Sequence, residues 1–220
     1  RIDLDGGFED QENISFAHWM DWINWERRNP LILANKPLLH SRIVYAFRRA
    51  LMTMRGEEKM WLEYAIYLRL EVNKFHDAEV VLKQACRSCE HSLPLLLALT
   101  DLRESRGVDL EAISGVLNEY IGSTESSMNS LKVAIIEECR GPGDDEEEAI
   151  FDRALVERTP EGPVQKYLKL QGAFNGAQVR LLELSRRLSG LGAARSVFAT
   201  ARKSVPVSSK VFSAAAMLES

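Results

Sequence analysis

A chain of 220 residues, 45% hydrophobic and 27% charged, is long enough to bury a sizeable core. It holds no apolar run of the roughly 18 residues that a membrane span requires, so no membrane partner is expected. A formal charge of −4 gives no global case for nucleic acid. Arg1 stands where a Met would begin a whole protein, and the end falls inside the apolar pattern Val211 to Leu218; an internal piece of a longer protein is therefore expected.

Residues 1–14 form an acidic leader. The spacing Trp19-x-x-Trp22-x-x-Trp25, followed by Glu26, predicts a helix over 15–28. Asn29-Pro30 ends it, because the residue before proline is driven out of the α region. Glu26 is expected as a partly exposed polar close. Arg42 to Leu51 predicts the partner helix, 38–55, with Tyr45, Phe47 and Ala50 in the repeat core. Beyond Gly56 a second pair, 57–72 and 74–89, carries Trp61-x-x-Tyr64-x-x-Tyr67 and then Asp77 to Cys86, closing on Ala85. Leu96-x-x-Leu99-x-x-Leu102 marks a third pair, 92–105 and 108–121, with Gly107 and Gly122 as helix-ending glycines. The fainter Met128-x-x-Leu131, then Glu148 to Leu155 with Phe151 and Ala154, give 124–139 and 145–158. Gly162-Pro163 and Gly172-Ala-Phe-Asn-Gly176 read as breakers around a non-repeat insertion, 159–175, holding at most a short helix. A fifth pair, 176–189 and 191–204, divides at Gly190 and Gly192 and carries Phe198 and Ala201. A half pair over 207–220 follows, with Phe212-x-x-Ala215-x-x-Leu218.

Large residues three apart lie along one helical stripe, so each such segment has a face to bury. The alternate segments close on a small residue, since a closely packed helix crossing admits only an Ala-sized side chain. Taking Ala50, Ala85, Glu119, Ala154 and Ala201 as closing positions, the steps are 35, 34, 35 and 47 residues. A period near 34 residues with no strand signal indicates an all-α, right-handed superhelical solenoid of antiparallel helix pairs, five and a half in number.

Chemistry-bearing motifs are sparse. Cys86-Arg-Ser-Cys89 has redox or zinc spacing, but zinc takes four ligands, no second pair exists, and His76, His91 and Cys139 stand at no ligand spacing. On a helix, positions 86 and 89 are packing neighbours. Three cysteines without an even framework point to a reducing compartment such as cytosol or nucleus. Gly141-Pro-Gly-Asp-Asp-Glu-Glu-Glu148 lacks the alternating ligands of a calcium loop. Its acids suit a helix N-terminus, and a partner's basic patch could use them. Trp19, Trp22 and Trp25 at helical spacing are expected in the core and not in a ligand cage. With four scattered His and no nucleophile or phosphate-loop motif, no catalytic, cofactor or metal site is expected, and the chain does not read as an enzyme. Charge is unevenly spread: residues 180–220 hold seven Lys/Arg against two Glu, a net of +5, which leaves −9 on the rest. Arg186, Arg187, Arg195, Arg202, Lys203 and Lys210, with Phe212 and Met217, form a candidate partner surface. Interhelix ion pairs explain many of these cations better than phosphate contact does.

The repeating unit resembles the half-a-TPR (HAT) repeat, with aromatic first helices and Ala- and Arg-centred second helices. Trp19-Met-Asp-Trp-Ile-Asn-Trp-Glu-Arg-Arg-Asn-Pro-Leu31 resembles the tryptophan-rich helix of the Suppressor-of-forked family. Met60 to Leu68 is similar to that family's next first helix, Arg186 to Phe198 to its late helix pair, and Val211 to Glu219 to the helix after that. The segments 124–158 and 159–175 depart from the animal members' pattern. The family comprises a scaffold subunit of the cleavage stimulation factor and its yeast counterpart in cleavage factor IA, and the match is to its C-terminal HAT subdomain. The resemblance implies a nuclear scaffold in pre-mRNA 3′-end cleavage and polyadenylation that homodimerises about a two-fold axis. It implies as partners an RNA-recognition-motif subunit (through a proline-rich tail absent here), a WD40 subunit and the cleavage and polyadenylation specificity factor, with RNA met only indirectly. Two alternatives are a HAT scaffold of splicing or ribosome biogenesis, and direct RNA binding by the basic segment 180–210.

Overall fold

The computed structural model describes residues 8–141, 146–157, 162–203 and 209–219. Every regular element among the described residues is helical, as a helical-repeat array requires. The chain divides into two compact units, residues 1–102 and 103–220.

In the first unit the helix ends are written into local side chains. Helix α1 (Phe8–Arg27) stops where Asn29 takes a left-handed backbone, φ 52°. The Asn29 side chain closes the loop, accepting from the Leu33 amide at 2.8 Å and donating to the Leu33 carbonyl at 3.1 Å. Asn35 then caps α2 (Lys36–Thr53) by accepting from the Leu38 amide, with Pro37 in the first turn where its missing N–H costs nothing. Helix α3 (Glu58–Ile66) runs on into a π-helical turn, Tyr67–Glu71, a widening that residue spacing gave no sign of. Helices α4 (Phe75–Ser88) and α5 (Leu93–Ser105) complete the series.

Helix α2 packs against α1 and α3, and α3 packs against α4 as well. Large rings meet small side chains in this core. Phe47 lies 5.0 Å from Tyr64 and 5.6 Å from Tyr67, ring centre to ring centre, while Ala46, Ala50, Ala78 and Ala85 are wholly buried. Trp61 is also buried, and its indole N–H donates to the Arg55 carbonyl at 2.8 Å. Glu26 corrects an expectation: it is buried, and it accepts from Arg42 Nε at 2.9 Å and Nη2 at 2.7 Å. A carboxylate taken out of water needs a cation at its side, so this pair latches α1 to α2.

In the second unit α6 (Leu110–Cys139) packs along α8 (Pro163–Ala201), α7 (Glu147–Glu157) packs on α6, and α9 (Ser209–Glu219) on α8. Two expected joints are corrected. Residues 108–121 and 124–139 are not separate helices, because α6 passes through Gly122 without a break. The expected insertion 159–175 is helix from Pro163 onward, because α8 passes through Gly172 and Gly176; residues 158–161 lie outside the described residues. The reason is energetic. A helical glycine costs only about 1 kcal/mol relative to alanine, and a continuous buried stripe outweighs it: Ile113, Leu117, Thr124, Met128 and Ile135 on α6, and Val164, Tyr167, Phe174, Gln178 and Leu182 on α8. Gly190 does interrupt α8, with φ 78° and ψ −170°, where the sequence divides 176–189 from 191–204. Of the five closing positions, Ala50, Ala85, Ala154 and Ala201 are buried. Glu119 is exposed within α6 and marks no crossing.

The two kinds of glycine make a paired test. Nothing lies within 4 Å of a Cβ built at either Gly172 or Gly190, so only backbone conformation separates them. Gly172→Ala is expected to stabilise the unit by about 0.4–1 kcal/mol, because the helix keeps its geometry and the unfolded chain loses freedom. Gly190→Ala is expected to destabilise by about 1–3 kcal/mol, the cost of holding alanine in a glycine-only region. Urea denaturation followed by circular dichroism reads both; effects of the same sign would contradict the helix assignment.

Candidate partner-binding surfaces

The aromatic stripe of α1 is only partly in the core. Trp19 and Trp22 are half-buried and lean on each other at 5.4 Å between ring centres, whereas Trp25, expected in the repeat core, is 47% exposed. Three residues turn a helix by about 300°, so a strict period of three drifts by about 60° per step. Helix α1 packs chiefly on α2, and by the third step the ring has left that neighbour. Ile23 and Glu26 take the buried positions instead. On α3 and the start of its π-helical turn, with α2 and α4 both beside them, Trp61, Tyr64 and Tyr67 all stay buried. Tyr45 is a second correction: at 61% exposed, it sits two residues from buried Phe47 and so on the opposite side of α2. Phe151 and Ala154 are buried in the second unit, Phe151 edge-on to Tyr167 at 5.0 Å.

The Tyr67 hydroxyl lies 2.7 Å from His40 Nδ1, with the Arg27 guanidinium over the ring at 5.7 Å. Arg27 also pairs with Glu71. Burial pushes the phenol up to about 12, so it is neutral at physiological pH and links His40 to the ring beneath Arg27.

Two of the basic residues expected as a partner surface or beside it are fixed by Glu104. Arg187 pairs with Glu104, and Arg180 reaches the other Glu104 oxygen at 2.9 Å and Glu183 at 3.2 Å. These cations hold α8 to the chain around Glu104, which reduces the positive charge open to a partner. Arg186, Arg195, Arg202, Lys203 and Lys210 are exposed. Phe198 meets Phe212 edge-on at 5.5 Å, and Ala201 and Val211 are buried beside Leu182. Phe212 nevertheless remains 46% exposed and Met217 74%, so α9 presents apolar surface outward.

The acids at 147 and 148 are likewise engaged. Glu147 pairs with Arg140 at 2.9 Å and Glu148 with Lys132 at 3.6 Å, both in the first turn of α7, where the helix dipole favours negative charge. Asp144 and Asp145 lie outside the described residues. Cys86, Cys89 and Cys139 are free thiols, and no group of three or more His, Cys, Asp or Glu among the described residues is arranged to hold a metal. Burial, and then the Glu58 and Glu57 carboxylates, push the Cys89 thiol up to about 11. It faces the carbonyls of Gly56 at 3.4 Å and Arg55 at 3.6 Å, as a protonated S–H would. No described helix is long and apolar enough to cross a membrane.

Sequence reasoning passed over one feature of the first unit: an open groove of about 1310 Å³ lined from α2, α3 and α4. Part of the signal was present, since residues 27–56 hold seven Lys/Arg and no Asp or Glu, and two of the seven, Arg48 and Arg55, line the groove.

A family model described as Suppressor of forked protein (Suf) matches residues 4–220. Among curated proteins, the chain is similar to the mRNA 3′-end-processing protein rna14 of Schizosaccharomyces pombe, 27% identical over 209 residues, covering 94% of this chain and 27% of that protein. The Cryptococcus neoformans protein of the same description is 26% identical over 240 residues, covering 96% of this chain and 22% of its own length. The Saccharomyces cerevisiae one is 26% identical over 197 residues, with 90% and 26% covered. The chain thus spans about a quarter of the length of these relatives.

The Cys-x-x-Cys pair can be tested directly. Alkylation follows the thiolate. With the Cys89 thiol held at about 11 against an ordinary value of 9.0, its rate at pH 8 is expected to be about a hundredfold below that of a free cysteine and to rise only toward pH 11. Iodoacetamide labelling read by peptide mass spectrometry measures this. A Cys89 that labels as fast as free cysteine at pH 8 would restore a reactive-thiol reading.

Proposed function

The chain belongs to the Suppressor of forked family, and from that premise we propose that it is a protein-binding scaffold segment acting in pre-mRNA 3′-end cleavage and polyadenylation, in the nucleus. The observation that carries the reading is the family match over 4–220, joined to relatives described as mRNA 3′-end-processing proteins. A helical-repeat chain works through its outer faces. In this reading the partners are the RNA-recognition-motif subunit, the WD40 subunit and the cleavage and polyadenylation specificity factor, and RNA is met through them. The engagement of Arg180 and Arg187 by Glu104 supports an indirect role toward RNA, because guanidinia paired with a carboxylate are poorly disposed to phosphate.

Self-association belongs to the same proposal. Helix α9 exposes Phe212 and Met217, and a two-fold axis would let each copy cover the other's apolar face. The net +5 of residues 180–220 against −9 elsewhere gives complementary charge to steer the encounter.

The tagged chain is expected to recover 3′-end processing subunits from nuclear extract; recovery of splicing or ribosome-biogenesis proteins in their place would overturn the assignment. In sedimentation it is expected to behave as a dimer with an interface of about 2,000 Å² or more. A concentration-independent monomer at micromolar protein would remove self-association and leave a monomeric scaffold segment.

A further inference from the structure

We propose that the groove of the first unit is a docking channel for an acidic protein segment studded with apolar residues. Helix α2 offers it one stripe, Ser41, Val44, Arg48 and Met52, at the three- and four-residue spacing of a single helix face, with Arg55 in the turn just beyond the helix end. Helix α4 offers another, Asp77, Val80, Gln84 and Arg87. At about 1310 Å³ the channel exceeds the roughly 300–1,000 Å³ of small-molecule pockets; it suits a length of chain.

Charge complementarity identifies the occupant. The lining holds four cations, Arg48, Arg55, Lys74 and Arg87, against one carboxylate, Asp77, for a net of +3 within a chain of net −4. Asp77 is taken by Lys74, at 3.6 Å. The arginines have no such partner: Arg48 lies beside the Tyr64 hydroxyl, Arg55 donates to Ser88 Oγ at 3.3 Å, and among the described residues no carboxylate pairs with Arg48, Arg55 or Arg87. Elsewhere in the chain Arg27, Arg42, Arg140, Arg180 and Arg187 each pair with a glutamate. Guanidinia gathered in a concave wall focus positive potential and hold carboxylates through paired charge-assisted bonds.

Between the cations lie apolar side chains open to contact, with Met52 77% and Val80 45% exposed. Phosphates have no use for them, whereas a peptide can bury its own apolar residues there. Single-stranded nucleic acid is instead gripped chiefly by base stacking on exposed aromatic rings, and the large rings of the lining, Trp61 and Tyr64, are only 7% and 4% exposed, which leaves the imidazoles of His40 and His76 as its other rings. The chemistry therefore favours a peptide over RNA.

The test uses the whole 220-residue chain and a fluorescein-labelled peptide, Glu-Asp-Leu-Glu-Glu-Ile-Asp-Glu-Leu-Glu-Glu, followed by anisotropy. Saturable binding is expected, weakening with salt. Reversing two groove charges, Arg48→Glu with Arg87→Glu, is expected to weaken it by about tenfold or more. Reversing two exposed arginines outside the groove, Arg28→Glu with Arg49→Glu, is expected to change it by less than about twofold. A peptide with serine in place of leucine and isoleucine should bind distinctly more weakly. In the unaltered protein the Met52 methyl resonance should shift on titration and that of Met217 should not, a readout that does not depend on a variant's folding. Absence of saturable binding, equal losses in the two reversal pairs, an indifferent serine peptide or an unmoved Met52 methyl would each overturn the proposal. So would tighter binding of oligouridylate abolished by the groove reversal, which would make the channel a nucleic-acid site. Peptide binding and recovery of processing subunits can fail independently, so neither result decides the other.

Discussion

Everything in the first unit follows from how Phe47 is accommodated. Its ring takes Tyr64 at 5.0 Å and Tyr67 at 5.6 Å, and it can do so because its neighbours on the same helix, Ala46 and Ala50, are small and wholly buried. Offset aromatic pairs of this kind add about 0.5–1.5 kcal/mol each beyond their burial. Large-into-small packing sets how closely α2 and α3 approach. That approach decides which side chains of α2 turn outward into the groove and which turn in. Arg48 and Met52 line the groove because Phe47 and Leu51 fill the core.

The sequence was legible where periodicity and burial coincide. The stripe Trp61, Tyr64 and Tyr67, the buried alanines at 50, 85, 154 and 201, the Asn29-Pro30 stop and the Gly190 division all correspond to observed structure, because each is set by local geometry. Reading failed where a neighbour or its absence decided the outcome. Trp25 repeats the spacing of Trp19 and Trp22, yet α1 packs chiefly on one helix and the drifting stripe leaves it behind. Gly122 and Gly172 look like breakers, but a penalty of about 1 kcal/mol cannot interrupt a stripe buried along its whole length. Glu26 looked like a polar close and is buried because Arg42 stands one helix away.

The candidate surfaces divide the same way. The basic run at 180–220 is visible in a charge count, but the count cannot tell that Glu104, far off in sequence, engages Arg180 and Arg187. The groove is the reverse case. Its cations come from α2, α4 and the turns at their ends, which converge only once α3 packs against both, so the run of seven cations over 27–56 carries no visible direction until the helices fold. For the scaffold role proposed above this separation matters. Charges paired inside the fold hold its shape, and the groove arginines, which no described carboxylate engages, are the ones the docking proposal uses.

The packing of Phe47 can be measured against its near neighbour. All four tryptophans, Trp19, Trp22, Trp25 and Trp61, lie within residues 1–102, so tryptophan fluorescence in urea reports on the first unit alone. Phe47→Ala is expected to lose about 3–5 kcal/mol, the cost of emptying a buried aromatic site. Tyr45→Ala, two residues away and 61% exposed, is expected to change stability by about 0.5 kcal/mol or less. Comparable losses at both positions would mean that large-into-small packing at Phe47 does not organise the unit, and would contradict the account.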